Sequence, residues 1–283
     1  MRFFIFLLLG ISPFIIDANC TKANDSSSVV VAGGSITEII YFLGKEKKLV
    51  GVDITSNFPP ETSSLPSIGY VRNLSTEGIL SLQPTLILGE NDMGPPLVLR
   101  QLSISGVDSR IINETYSSNG ILKKLECISS ILGLYKLAEL QKFTSLKEEI
   151  ATLKTISNLN RDLKIKVMLI LTLEGMSPII AGRGTSGDGF IKLTGATNVA
   201  TSFEGWKPVS TESIIQFDPD FIIITNRGLN SFKNLENLSN SPSLKYTRAS
   251  RNDKIFSEDG MAMLGFGVRT IGTALKFAQI FNK

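Results

Sequence analysis

Histidine is absent from all 283 residues of the chain. Without imidazole the chain cannot build a Ser-His-Asp triad or a Cys-His pair, and it lacks the usual nitrogen ligand of zinc, copper and haem iron. Tyrosine, methionine, cysteine and carboxylates are left as metal ligands. Glu174 and Asp188 are candidate acid–base residues, but no paired carboxylate or nucleophile–base arrangement accompanies either of them. The sequence therefore argues against an enzyme.

The chain also has little excess of either positive or negative charge. The formal net charge is only +3, and no run of lysine or arginine stands out as a phosphate-binding patch. Because nucleic-acid binding depends on clustered positive charge, no nucleic-acid partner is expected.

Long apolar runs are limited to the N-terminus. Arg2 precedes an apolar stretch over residues 3–16, which resembles the hydrophobic region of a signal peptide and is too short for a membrane anchor. Small residues at Ala18 and Ala23 offer two cleavage sites. Residues 1–23 are therefore predicted to be a signal peptide, and the mature chain is expected to be exported.

Cysteine occurs only twice, as Cys20 and Cys127. Cys127 lies in the apolar pattern of residues 121–132, which predicts a buried structural thiol. If Cys20 is removed with the signal peptide, no disulfide can form within the mature chain. Cys20 offers a lipoprotein alternative, but the neighbouring Asp17 and Asn19 do not match the small residues that such a site requires.

Short apolar runs alternate with helical patterns through the rest of the chain. The predicted strands are residues 29–32, 49–52, 86–88, 110–112, 166–172, 221–224 and 254–256. Strands separated by helices at this spacing favour parallel sheets. The predicted fold class is α/β, with two similar lobes at residues 24–133 and 159–283, each a small, mainly parallel sheet flanked by helices.

The two predicted lobes are separated by an amphipathic segment. Apolar residues recur at helical spacing from Leu134 to Ile156, charged residues fill the other face, and no glycine or proline interrupts the pattern. Residues 134–158 are therefore predicted to be one rigid connecting helix, on the order of 30 Å long.

An internal repeat relates residues 74–88 to residues 209–223 without a gap. Both copies contain Ser-Thr-Glu, an isoleucine and a proline, which predicts a capped helix, a proline stop and a buried strand in each lobe. Glu77 and Glu212 hold equivalent positions in the first helical turn, where a carboxylate stabilises the helix dipole. As a pair, they are also candidates for docking onto arginines of a two-fold symmetric partner.

The loop before the first repeat carries Tyr70 and Arg72. Phenolate is a hard anionic ligand suited to ferric iron, and a nearby guanidinium favours the anionic form of a phenol. Arg227, which follows a predicted strand of the second lobe, and Arg183, in the glycine-rich loop 181–187, are further candidates. Arg72 or Arg227 could pair with the phenolate or with ligand carboxylates, and Arg183 is a weaker ligand candidate. Taken alone, Tyr70 is more simply a half-buried loop aromatic.

Six segments of the chain together resemble one known family. They are residues 32–38, 49–53, 65–72, 74–82, 181–185 and 263–270. They are similar to the periplasmic haem-binding proteins of bacterial ABC haem importers, within the wider group of cobalamin- and ferric-siderophore-binding proteins. Gly-Tyr-x-Arg at residues 69–72, followed by Leu-Ser-x-Glu-Gly at residues 74–78, is the most specific part of the resemblance.

The resemblance implies that ferric haem b is the transported ligand and is held between the two lobes. Tyr70 would be the axial iron ligand, with Arg72, Arg227 and Arg183 as haem-binding candidates. Some relatives hold two stacked haems through a histidine of the second lobe. This chain has no histidine, so one haem is expected, or a second held without that bond.

The resemblance also implies the partners. Glu77 and Glu212 would dock on arginines of a dimeric ABC permease that works with an ATPase, and the carrier itself would be a non-enzymatic monomer. A ferric siderophore or cobalamin is the alternative ligand on the same fold. A zinc or manganese carrier is disfavoured because histidine is absent.

Overall fold

The computed structural model describes residues 20–174 and 177–282. The apolar stretch at residues 3–16 and the cleavage site at Ala18 lie outside the described residues. The strands are β1 (Val29–Ala32), β2 (Leu49–Val52), β3 (Gly69–Tyr70), β4 (Asn73–Leu74), β5 (Leu86–Glu90), β6 (Asp108–Ile112), β7 (Lys166–Glu174), β8 (Ser177–Ala181), β9 (Thr197–Asn198), β10 (Trp206–Pro208), β11 (Phe221–Thr225) and β12 (Ile255–Glu258). The α-helices are α1 (Gly34–Phe42), α2 (Thr76–Leu80), α3 (Pro96–Ile104), α4 (Ser118–Ile131), α5 (Gln141–Leu163), α6 (Ser186–Leu193), α7 (Thr211–Phe217), α8 (Asn226–Leu229), α9 (Leu235–Ser239), α10 (Arg248–Arg251), α11 (Gly260–Leu264) and α12 (Arg269–Phe281).

The first sheet has four parallel strands in the order β2-β1-β5-β6. All four residues of β1 are buried, because a parallel strand at the centre of a sheet is covered by helices on both faces. Since the strands run the same way, their carboxyl ends meet at one edge. In open α/β sheets, ligands bind outside that edge.

The second sheet is mixed. Its order is β10-β8-β7-β11-β12, and β9 also pairs with β7. β7, β9, β11 and β12 are mutually parallel, whereas β8 runs antiparallel to both β7 and β10. The α/β prediction with small, mainly parallel sheets flanked by helices is confirmed, and the antiparallel strands of the second sheet add to it.

The long helix α5 is displaced from its predicted range. It spans Gln141–Leu163, whereas the apolar pattern predicted a start at Leu134. Leu134 instead closes the end of α4: its amide donates to the Ser129 carbonyl at 2.9 Å, and Gly133 before it has a φ of 75°. At its other end α5 stops where Lys164 adopts a left-handed conformation. No helix in the described ranges is long and apolar enough to span a membrane.

The prediction that Cys127 is a free thiol is wrong. Cys20 and Cys127 are joined in a disulfide that closes a sequence separation of 107 residues. The bond forms because residues just after Cys20 pack on the first lobe: Ala23 is 3% exposed, and its amide donates to the Ile131 carbonyl at 3.0 Å.

Candidate functional site

Tyr70 lies at the edge formed by the carboxyl ends of the first sheet. β3 and β4 form a hairpin in which Tyr70 pairs with Asn73, and Gly69 adopts the φ of 89° that the chain direction requires there. The Gly69 carbonyl accepts a 2.9 Å bond from the Ile54 amide, just beyond β2. This bond fixes the hairpin to the sheet and leaves the Tyr70 side chain 41% exposed.

Arg72, on the turn of that hairpin, is held by Asp92. Its Nε and Nη2 atoms both lie 2.7 Å from Oδ2 of Asp92, which follows β5. The Asp92 hydrogen bond raises the pKa of Arg72, and negative charge on Tyr70 or Tyr116 would raise it further. One guanidinium therefore lies close to two phenols at the carboxyl edge.

Tyr116 lies in the half of the chain that carries the first sheet and contacts the half that carries the second sheet. Its ring lies 5.0 Å from that of Phe266, and its side chain packs directly on Gly189 of α6. Burial raises the pKa of the Tyr116 phenol, as do the neighbouring carboxylates of Glu114, Asp92 and Glu90. The hydroxyl of Tyr116 is thus held in its neutral form.

A buried polar network lies behind these phenols. The Ser35 hydroxyl donates to Oε1 of Glu90 at 2.6 Å, and the Lys124 ammonium donates to Ser35 at 2.9 Å, to Glu114, and to the Gly265 carbonyl at 3.2 Å. Lys124 is 2% exposed. Burial raises the pKa of Glu90 to about 7, against the opposing charge of Lys124. The bond to Gly265 links the first-sheet half to the segment between α11 and α12.

A second polar link joins the same two halves. Arg269, at the start of α12, donates to Oε1 of Glu38 at 2.5 Å and to Oδ2 of Asp259 at 3.0 Å. Its guanidinium also covers the Phe58 ring at 3.9 Å. Glu38 is only 4% exposed, and burial raises its pKa.

The two arginines predicted from the second lobe are both exposed. Arg227 lies in α8, directly after β11, and pairs with no acidic side chain of the described residues. Arg183 lies 3.4 Å from Glu204 in an exposed ion pair. Among the described residues, no hydrogen bond or cation–π contact joins either arginine to Tyr70.

Glu77 and Glu212 lie in matching places. Each is exposed in the first turn of a short helix, α2 or α7, and each helix is followed by a proline and a buried strand. The Ser75 hydroxyl accepts from the Gly78 amide at 3.2 Å, and the Ser210 hydroxyl accepts from the Ser213 amide at 3.3 Å. A hydrogen bond from its own backbone amide lowers the pKa of Glu212.

A cavity of about 650 Å³ is bounded by α1, α5, α11 and α12, and its lining includes Lys142 and Arg269 but not Tyr70. Among the described residues, no group of three or more histidine, cysteine or acidic side chains could hold a metal ion. The carboxyl edge therefore offers a phenol and a guanidinium. A phenol oxygen suits a hard metal ion, and a guanidinium suits the carboxylates of an anionic ligand.

Comparisons with known proteins identify the family and the fold. Residues 29–260 match the family model described as periplasmic binding protein. The periplasmic heme-binding protein RhuT from Roseiflexus sp. RS-1, in apo form, has a TM-score of 0.80 and 33% identity, covering 91% of this chain and 98% of that one. The periplasmic heme-binding protein HutB of Vibrio cholerae has the same TM-score and identity, covering 92% of this chain and 100% of that one.

Two further relatives are more distant in sequence. YvrC of Bacillus subtilis (strain 168), an uncharacterized ABC transporter substrate-binding lipoprotein, is 26% identical over 208 residues, which are 73% of this chain and 66% of that protein, just under two thirds. The vitamin B12-binding protein of Yersinia pestis (strain Pestoides F) is 24% identical over 205 residues, which are 72% of this chain and 71% of that protein.

Proposed function

We propose that this chain, which belongs to the periplasmic binding protein family, binds ferric haem between two lobes and delivers it to an ABC permease. The family consists of substrate-binding transport proteins rather than enzymes. The observation that carries the proposal is Tyr70: its hydroxyl has no hydrogen-bond partner among the described residues, and its side chain is 41% exposed at the carboxyl edge of the first sheet.

The surroundings of Tyr70 suit haem. An unpartnered phenol oxygen leaves its lone pairs open to ferric iron. Ile54, whose amide bonds to the residue before Tyr70, is 62% exposed and offers an apolar surface to a porphyrin. Arg72 lies two residues away, and Arg227 and Arg183 supply exposed guanidinium groups from the second half for the propionates.

The iron-ligand assignment is tested by spectroscopy. Titrating the purified mature protein with ferric haem should give the charge-transfer absorption of a tyrosinate–iron bond. Tyr70→Phe should abolish that band and weaken binding by roughly tenfold or more, because the proposed anionic iron ligand is lost. Tyr246→Phe, an exposed tyrosine in the second half, is the matched control. A band that survives Tyr70→Phe would refute the assignment.

Cobalamin or a ferric siderophore is the second candidate ligand. The similarity to a vitamin B12-binding protein over 72% of the chain favours it. Competition separates the two classes: a haem carrier should keep its bound haem in the presence of a tenfold excess of cyanocobalamin or ferric siderophore. Displacement of haem by either compound at equal concentration would favour the second class.

Delivery to the permease is assigned to Glu77 and Glu212. Both carboxylates are exposed at the starts of equivalent helices, so each lobe presents one anionic group to a symmetric, arginine-bearing partner. Replacing both with alanine should abolish haem uptake by cells and leave the haem titration unchanged. Uptake at the wild-type rate, with normal amounts of protein, would contradict this role.

A further inference from the structure

Cys20 and Cys127 are bonded in the structure, with their Cα atoms 4.8 Å apart. This separation falls within the range of unstrained disulfides. The bond attaches the segment at Cys20 to α4, the helix that also supplies the buried Lys124. No free cysteine is left among the described residues.

The segment that begins at Cys20 also makes contacts of its own. Ala23 is buried, and its amide donates to the Ile131 carbonyl at the end of α4. Two further carbonyls of the segment accept bonds from distant basic side chains: Thr21 from Arg110, and Ser26 from Lys48. These contacts are specific and depend on residues far away in sequence. Residues 20–26 therefore belong to the folded protein.

We infer that Cys20 is retained in the mature, exported protein as the disulfide partner of Cys127, and that it carries no lipid. The inference rests on the export that the proposed function requires. Apart from its bond to Cβ, the Cys20 sulfur forms one covalent bond. The disulfide uses that bond, so the thioether to diacylglycerol that would anchor a lipoprotein is excluded.

Formation of the Cys20–Cys127 bond requires a two-electron oxidant. Each thiol loses its proton as the Sγ–Sγ bond forms, and the two electrons released reduce the disulfide of an exported thiol–disulfide oxidoreductase to a dithiol. Such oxidants operate in the bacterial periplasm.

Retention of Cys20 selects between the two cleavage sites seen in the sequence. Cleavage after Ala23 would remove Cys20, and with it both the disulfide and the Ala23 bond to Ile131. Cleavage after Ala18 keeps all of them. The mature protein is therefore expected to begin at Asn19.

The test is mass spectrometry of the full chain expressed in a Gram-negative host and recovered from its periplasmic fraction. Unreduced, denatured protein should take up no thiol-alkylating reagent, and it should give one peptide pair that links Cys20 to Cys127. After reduction it should take up two alkyl groups, and its N-terminus should lie before Cys20. Two free thiols, a chain that begins after Ala23, or a diacylglyceryl group on Cys20 would each overturn the inference.

A pair of serine variants gives a second readout. Cys20→Ser and Cys127→Ser should each expose one reactive thiol, and both should stay in the same soluble fraction as the parent protein. A parent protein found in the membrane fraction and released by Cys20→Ser but not by Cys127→Ser would establish lipidation instead. Neither readout involves haem, so failure here is distinct from failure of the haem assignment.

Discussion

At the scale of single residues, Tyr70 and Tyr116 are two phenols near one guanidinium, and their environments divide their roles. Tyr70 is exposed and has no hydrogen-bond partner among the described residues, whereas Tyr116 packs against Phe266 and its phenol has a raised pKa. A neutral phenol donates a hydrogen bond, and an unpartnered one at an open edge is free to bind a metal. Under the proposed function, Tyr70 is therefore the better candidate for the iron ligand.

Asp92 competes with the ligand for Arg72. Its carboxylate holds the guanidinium in an exposed ion pair, and such pairs contribute about 0.2–1 kcal/mol. Asp92→Asn should release Arg72 toward the bound anion and tighten haem binding by roughly two- to fivefold, measured by fluorescence quenching. Asp108→Asn, which breaks the less exposed Arg110 pair at the amino end of β6, is the control. Unchanged or weaker binding in Asp92→Asn would contradict the competition.

Glu90 should make stability depend on pH. Its folded pKa of about 7 lies above the ordinary value of 4.5, so the folded state binds the proton more tightly than the unfolded state. The resulting stability is fully present below pH 4.5 and is lost as the pH rises through about 7, by roughly 3 kcal/mol. The charged and titratable groups around Glu90 are Lys124, Glu114, Asp92 and Tyr116.

Glu90→Gln should remove this part of the pH dependence. Urea unfolding at pH 5 and at pH 8 should show a smaller difference in the free energy of unfolding for this variant than for the parent. Glu126→Gln, an exposed glutamate on the same helix as Lys124, should leave the difference as it is. Equal pH dependence in the parent and in Glu90→Gln would refute the burial argument.

At the scale of elements, the sequence predicted which helices and strands exist better than it predicted where they begin and end. The repeat correctly paired α2–β5 with α7–β11, because a capping serine, a first-turn glutamate and a proline are local signals. The helix α5 was predicted seven residues too early. Its apolar spacing continues without a break back to Leu134. The bond from the Leu134 amide to the Ser129 carbonyl and the turn at Gly133 instead place Leu134 at the end of α4.

The parts of the site that sequence missed depend on tertiary contact. Asp92 reaches Arg72 only because β5 ends beside the β3–β4 hairpin, and the Cys20–Cys127 bond joins residues separated by 107 positions. No spacing rule signals either pair. Tyr70 is a candidate because of a local motif, whereas Tyr116 gains its position from packing on a helix of the other half.

At the scale of the whole molecule, two polar links bind the halves that carry the two sheets. Lys124 reaches the Gly265 carbonyl, and Arg269 joins Glu38 of α1 to Asp259 of the second half. Both links are buried or partly buried. Breaking either of them therefore leaves a charged group without its partner in a site that water solvates poorly. They should hold the distance between the halves, and hence the width of any ligand site between them.

The Arg269 link can be tested by removing its partners singly and together. Arg269→Met leaves the buried Glu38 carboxylate without its cation, which should lower the free energy of unfolding by about 3 kcal/mol in urea titrations. Adding Glu38→Gln should recover most of that loss, because the uncompensated charge is gone.

Arg248→Met provides the matched control for this cycle, since it breaks pairs with Asp218 and Asp220 in which the arginine is about half exposed. Exposed pairs contribute little, so its cost should stay near 1 kcal/mol or below. A loss in Arg269→Met no larger than in Arg248→Met, or a double variant as unstable as the single one, would show that the two halves are held together by packing. In that case the apolar contacts around α12, rather than buried charge, would set the width of any ligand site between the halves.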